Sequence, residues 1–206
     1  RQRQQHDALR ILWAGRMLGW KRNATLIDAV ASLCRAGCRV SATLIGEGPE
    51  ETRLRRQVER LGLDKVVSFH GPMPIAEVRQ HMRAADIYVL SSSGYEGWGT
   101  VVNEAMLEGC AVVAAEETGA ARTLIRNGYN GFLFRSGRTA ELAERLARLG
   151  NDESLRQRVA AAGQRSMLAE WTPDVAADRL VTMIETLAAG RRFDGYASGP
   201  LMRMRR

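Results

Sequence analysis

Short unbroken apolar runs alternate along the chain with longer stretches in which apolar residues recur every three or four positions. LRILWAG (9–15), RVSATLIGEG (39–48), VVSFHG (66–71), DIYVLSS (86–92), CAVVAA (110–115) and GFLF (131–134) have the length and composition of strands. ATLIDAVASLCRAG (24–37), EETRLRRQVERLGL (50–63), PIAEVRQHMRAA (74–85), TVVNEAMLEG (100–109) and GAARTLIRNG (119–128) have helical spacing. Glycines close several of these, and a proline opens the third. Helical spacing then fills most of 138–188.

The strands are apolar on both sides rather than alternating. That is the mark of a parallel sheet covered on both faces, and strand–helix alternation makes it a doubly wound, Rossmann-like α/β domain. Such sheets bind ligands outside the carboxyl ends of their strands, where the strand order reverses. The segments that follow strands are therefore the ones to inspect: Gly15–Lys21, Gly46–Pro49, Phe69–Met73, Ser91–Thr100 and Glu116–Ala121.

Composition narrows the picture. A chain of 206 residues, 45% of them hydrophobic, suits one domain with a tail. It has no run of 18 apolar residues, and RQRQQHDALRILWAG at the N-terminus has no long apolar core of a signal peptide, so a cytoplasmic location is expected. Cys34 and Cys38 are spaced too widely for a C-x2-C knuckle and have no histidine cluster beside them; they read as buried structural thiols. The net charge of +7 comes almost wholly from arginine, Lys21 and Lys65 being the two lysines. Basic balance points to phosphate-bearing partners without choosing among nucleotide, lipid and nucleic acid. No nucleic-acid motif accompanies it, and nucleic acid is not expected as a partner.

Two stretches carry candidate chemistry. WAGRMLGWKR (13–22) ends a strand and places Arg16 and Lys21 in the following loop, where a guanidinium and an ammonium suit a diphosphate. SSSGYEGWGTVVNEAMLEG (91–109) sets Glu96 and Glu104 eight positions apart. On one continuous helix they would lie about 80° apart, since eight residues turn roughly 800°. Gly97 and Gly99 argue against a continuous helix. Glu96 then ends a loop, Gly99 or Thr100 caps the helix that carries Glu104, and the amides of Gly97–Val101 form an anion site. Glu104, one turn inside, can accept hydrogen bonds from vicinal hydroxyls.

GR-x4-K at 15–21, followed by E-x7-E at 96–104 within S-x2-EGWG-x4-EAM, resembles the C-terminal donor-binding domain of GT-B retaining glycosyltransferases, in particular glycosyltransferase family four. LIGEGPE (44–50), VVSFHGPM (66–73), ADIYVLSS (85–92) and NGYNGFLF (127–134) match further blocks of that family in order. The resemblance covers about residues 9–188. It implies that Arg16 and Lys21 hold the diphosphate of a UDP- or GDP-sugar, that Gly15 belongs to the same donor site and that Glu104 takes the ribose hydroxyls. It further implies that Glu96 and the amides of Gly97, Trp98 and Gly99 take the sugar, that the amides of Thr100 and Val101 face the phosphates, and that the Phe69–Met73 loop, with Met73, lines the base. Arg16, Lys21 and Glu96 would be the catalytic group. The sequence contains no D-x-D, so the expected co-substrate is a nucleotide sugar with no metal or other cofactor. Two departures from the family pattern stand out: Thr123 replaces a glutamate, and Arg22 replaces the glycine that usually follows the lysine.

The resemblance divides the chain into a lead-in at 1–8, the donor-binding domain at 9–190 and a basic tail at 191–206. It implies a separate N-terminal domain that binds a glycan or lipid-linked acceptor, without which the domain is expected to transfer little. The tail, RRFDGYASGPLMRMRR, carries five arginines among Phe193, Tyr196, Leu201, Met202 and Met204. It is expected to pack on that absent domain, or alternatively to touch an anionic membrane surface at the inner face of the plasma membrane. A non-catalytic nucleotide-sugar-binding subunit and a sugar-nucleotide epimerase are the competing functional readings.

Overall fold

The computed structural model describes residues 8–203, so most of the lead-in and Met204–Arg206 of the tail lie outside the described residues. Six parallel strands form one sheet: β1 (Leu9–Ala14), β2 (Val40–Ile45), β3 (Val67–His70), β4 (Ile87–Leu90), β5 (Ala111–Ala115) and β6 (Phe132–Phe134). Their order across the sheet is β3-β2-β1-β4-β5-β6. Every connection is helical: α1 (Asn23–Arg35), α2 (Glu51–Arg60), α3 (Ile75–Ala84), α4 (Val101–Leu107) and α5 (Gly119–Leu124). Then follow α6 (Thr139–Asn151), α7 (Glu153–Glu170) and α8 (Pro173–Ala188). The expected strands and helices are all present.

Two apolar clusters lie on opposite faces of the sheet, and successive strand residues alternate between them. Ile11, Trp13, Ile87 and Val89 join one with Leu26 and Val30 of α1, Leu54 of α2 and Leu142 and Leu146 of α6. Leu12, Tyr88 and Leu90 join the other with Met82 of α3, Val102 and Met106 of α4 and Leu124 of α5. This double burial is why the strands lack a polar face. α7 serves both clusters, giving Val159 to the first and Met167 to the second.

β1 is the hinge of the topology. It pairs with β2 in register Leu9↔Val40 to Ala14↔Ile45, and with β4 through Ile11↔Ile87 and Leu12↔Tyr88. Asp86, just before β4, accepts hydrogen bonds from Arg10 N (2.9 Å), Nε (3.3 Å) and Nη2 (3.2 Å), fastening the two halves of the sheet at their amino ends.

One sequence expectation is corrected. Cys34 and Cys38 are free thiols at the end of α1 and only partly buried, whereas Cys110 is fully buried. Packing at a helix end covers one side of a residue, which composition does not reveal. The described part of the tail also folds back on this same domain. Arg179 of α8 stacks its guanidinium 4.4 Å from the centre of the Tyr196 ring and donates to the carbonyls of Ser198 and Pro200 (3.0 Å to the latter). Tyr196 and Met202 form a bridge, and Arg203 Nε donates to the Asp194 carbonyl at 2.8 Å. Arg192 pairs with the Asp194 carboxylate at 2.9 Å. Two of the tail's arginines are thus engaged within the tail itself.

Candidate active site

The strand order reverses between β1 and β4, so the crevice lies between the loops that leave these two strands. The β1 loop is pinned from below. Gly15 N donates to Ile45 O (3.0 Å), Met17 N donates to Glu47 O (2.7 Å), and the Met17 side chain is fully buried. A single 3-10 turn, Gly19–Lys21, then carries the chain into α1. Its end requires a left-handed residue, and Arg22 occupies that position with φ 51°. A glycine fits there without strain. Here the arginine instead reaches across to the loop after β6, donating from Nη1 to Ser136 Oγ at 3.1 Å.

Lys21 points into the crevice. Its ammonium pairs with the Glu96 carboxylate and lies 4.5 Å from the centre of the Trp20 ring. Both side chains of the pair are well shielded, at 14% and 12% exposure. A lysine from the first half of the sheet and a glutamate from the second therefore meet, although they stand 75 positions apart in the chain.

The serine run after β4 makes this meeting possible. Ser91 Oγ donates to Lys21 O at 2.7 Å, and Ser93 N donates to Trp20 O at 2.8 Å. Ser92 Oγ donates to Glu96 Oε2 at 3.1 Å. Ser136 Oγ donates in turn to Ser92 O at 3.0 Å, and the Glu117 carboxylate accepts from Ser136 N. Ser91 and Ser92 are fully buried. The sequence reading passed over these serines and over Trp20. Three adjacent small hydroxyls at the end of an apolar strand were the available signal, since buried hydroxyls need partners.

The loop then turns through Gly99, whose φ of 93° excludes most other residues. Val102 N donates to Gly99 O (3.0 Å), and the Thr100 hydroxyl makes no capping bond, which corrects the expected threonine cap. Gly97, Trp98, Thr100 and Val101 lie on this same turn beside Glu96. The Trp98 indole faces inward: Nε1 donates to Asn103 Oδ1 (3.0 Å), and the ring packs 6.0 Å from that of Trp171. Ala120 N takes the Trp98 carbonyl at 2.8 Å. Gly119 allows α5 to come this close, because a Cβ there would sit 2.2 Å from Gly97 O.

Glu104 lies in the first turn of α4, half-buried. Burial raises its pKa above the usual carboxylate value, and the charge of Arg79 partly offsets this. Beneath the crevice the Tyr88 hydroxyl donates to Ala14 O at 3.1 Å. Burial holds that phenol above its ordinary range, and the charges of Glu104 and Glu96 push the same way. Gly15, Arg16 and Met73 line a cavity of about 320 Å³ at the ends of β1 and β2, with Glu47 and Pro72. Arg16 is exposed. The expected site residues thus gather in two places, Lys21 with Glu96 and its loop, and Arg16 with Met73. Thr123 lines a small cavity with Glu170 and Gly199 that shares no residue with the one beside Arg16. Among the described residues no group of three or more His, Cys, Asp or Glu is placed to hold a metal ion.

Known proteins share this arrangement of sequence and fold. A phosphatidyl-myo-inositol mannosyltransferase of Mycobacterium leprae is 34% identical over 169 residues, which is 82% of this chain and 44% of that protein. The Anabaena protein HepE in complex with UDP superposes with a TM-score of 0.75 at 32% identity, over 89% of this chain and 49% of that one. The C-terminal domain of LpcC, a glycosyl transferase group 1 family protein of Francisella tularensis, gives 0.74 at 30% identity, over 80% of this chain and 87% of that one. The chain spans about half the length of the curated relatives it matches. The family described as "Glycosyl transferases group 1" matches residues 1–166, and the chain belongs to it.

Proposed function

We propose that the chain is the donor-binding half of a retaining glycosyltransferase. It takes a sugar from a nucleoside-diphosphate sugar for transfer to a glycan or lipid-linked acceptor, without a divalent metal. The observation that carries this reading is the meeting of Lys21 and Glu96 at the switch point of the sheet. The crevice there offers a cation for phosphate and, beside it, a carboxylate for sugar hydroxyls.

Breaking the bond between sugar and phosphate leaves extra negative charge on the departing nucleoside diphosphate. Lys21 on one side and Arg16 on the other take up that charge, each charged hydrogen bond contributing about 1.5–3 kcal/mol. Glu104 accepts from the ribose hydroxyls, and the cavity bounded by Met73 receives the base. Retention at the anomeric carbon rests on the family resemblance. HepE, which is described in complex with UDP and with UDP-glucose, makes UDP-glucose a reasonable first donor.

Calorimetry in EDTA tests the reading, with UDP and UDP-glucose in one arm and GDP and GDP-mannose in the other. The expected result is binding of one nucleotide and its sugar conjugate with no added metal. Binding that requires Mg²⁺ or Mn²⁺ overturns the metal-free part of the proposal. Absence of binding in both arms, with and without metal, overturns the donor site.

A further inference from the structure

Two donors converge on one oxygen of Glu96: Lys21 Nζ and Ser92 Oγ both reach Oε2. They differ in kind. Lys21 is a charge on a flexible four-carbon stem. Ser92 is fully buried, and its carbonyl is fixed by Ser136 Oγ at 3.0 Å. Its hydroxyl is therefore a fixed point at the end of β4. The neighbouring serines do other work, Ser91 Oγ binding the Lys21 carbonyl and Ser93 N the Trp20 carbonyl. Within the run, it is the Ser92 hydroxyl that bonds a side chain of the crevice.

This deepens the donor reading and rests on it. Lys21 and Glu96 neutralise each other across the crevice. A diphosphate competes for the ammonium, and as Lys21 turns to it Glu96 loses its charged partner. We infer that Ser92 is the positioning residue that keeps the Glu96 carboxylate aimed at the donor sugar while Lys21 exchanges Glu96 for the diphosphate. Lys21 and Glu96 are thus a pair that the donor opens, and Ser92 holds one end of it in place.

The inference changes what Glu96→Gln does. If Glu96 met only the sugar and Lys21 only the phosphates, Glu96→Gln would hardly change the binding of bare nucleotide. Their contact predicts instead that Glu96→Gln releases Lys21 and tightens the binding of bare diphosphate.

The test is calorimetry on wild type, Ser92→Ala, Glu96→Gln and the double variant, with UDP and UDP-glucose, or with GDP and GDP-mannose if that arm binds. The quantity read is the preference for nucleotide sugar over bare nucleotide. Ser92→Ala is expected to leave bare nucleotide within about twofold and to cut the preference about tenfold, as for loss of a hydrogen bond to a charged group. Glu96→Gln is expected to abolish the preference and to bind bare nucleotide more tightly than wild type. The double variant should match Glu96→Gln, because Ser92 acts through that carboxylate. Ser92→Thr, which keeps the hydroxyl, should retain the preference. A purely structural Ser92 would weaken both ligands equally. That result, an unchanged preference, or additive losses in the double variant overturns the inference. Should Ser92→Ala fail to fold, looser or unchanged binding of bare nucleotide by Glu96→Gln overturns the exchange on its own. No binding of any of the four ligands by wild type defeats the donor reading, and with it this one.

Discussion

Glu104 has lost water in the first turn of α4, and Arg79 compensates for part of that loss. Its pKa is raised in the folded protein, so between the unfolded and folded values the folded state holds the proton more strongly. Its contribution to stability is therefore present below the unfolded value and is lost as pH rises through the folded one. At neutral pH the ionised carboxylate is a liability to the fold, and on the proposed reading it is the acceptor for the ribose hydroxyls. Glu104→Gln is expected to raise the urea midpoint at pH 7 while weakening nucleotide binding by about 1–2 kcal/mol. In wild type, nucleotide affinity should also fall on acidification through a pH above the ordinary glutamate value, and the variant should lose that dependence. Paired denaturation and calorimetry from pH 4.5 to 7.5, a span set by about the ordinary glutamate value and neutrality, check both. E-x7-E makes these glutamates visible in sequence. It does not show that Glu96 is claimed by Lys21, because the reach of a side chain across 75 positions is a property of the folded sheet.

Among the elements, strands buried on both faces write themselves as unbroken apolar runs, which is why all six were legible. Loops were less so. Thr100 looks like a helix cap, but it is already in helical conformation (φ −51°, ψ −28°), and its hydroxyl makes no bond back to α4. Arg22, one residue past the lysine, adopts the left-handed conformation that a glycine would take without strain, and its guanidinium extends to Ser136. Neither outcome follows from residue type. The start of α5 is the most exacting contact. With Gly97 O in the way of any Cβ at position 119, Gly119→Ala must push α5 and the Glu96–Gly99 turn apart. Overpacking of this kind costs about 1–3 kcal/mol. Chemical denaturation should show that loss. Calorimetry should show nucleotide-sugar binding falling more than nucleotide binding, since the displaced turn carries Glu96.

On the scale of the whole molecule, the sheet and its two clusters are complete within the described residues, whereas α8 stands apart from them. None of its residues is fully buried, and Leu180, Val181, Ile184 and Leu187 are each about half exposed. The tail meets it at Arg179, which stacks on Tyr196 and donates to the carbonyls of Ser198 and Pro200. Residue pattern does not reveal this, because a stretch without period can still fold as a turn clasped by a guanidinium. Arg179→Ala should release residues 193–203. Trypsin should then cut at Arg191 and Arg192 at least several times faster, while the urea midpoint of the sheet hardly moves; equal cleavage rates in variant and wild type would count against the clasp. The switch point has a different kind of consequence, which concerns inheritance. Lys21 and the turn that carries it stand 75 positions before Glu96, with α1, β2, α2, β3, α3 and β4 between them. A crossover with a relative anywhere in that interval would leave the sheet intact yet join a lysine loop from one parent to a glutamate loop from the other. On the proposed reading, donor preference should therefore pass between lineages as a unit only when both segments travel together, which makes this domain a poor subject for piecemeal shuffling and a good one for exchange as a whole.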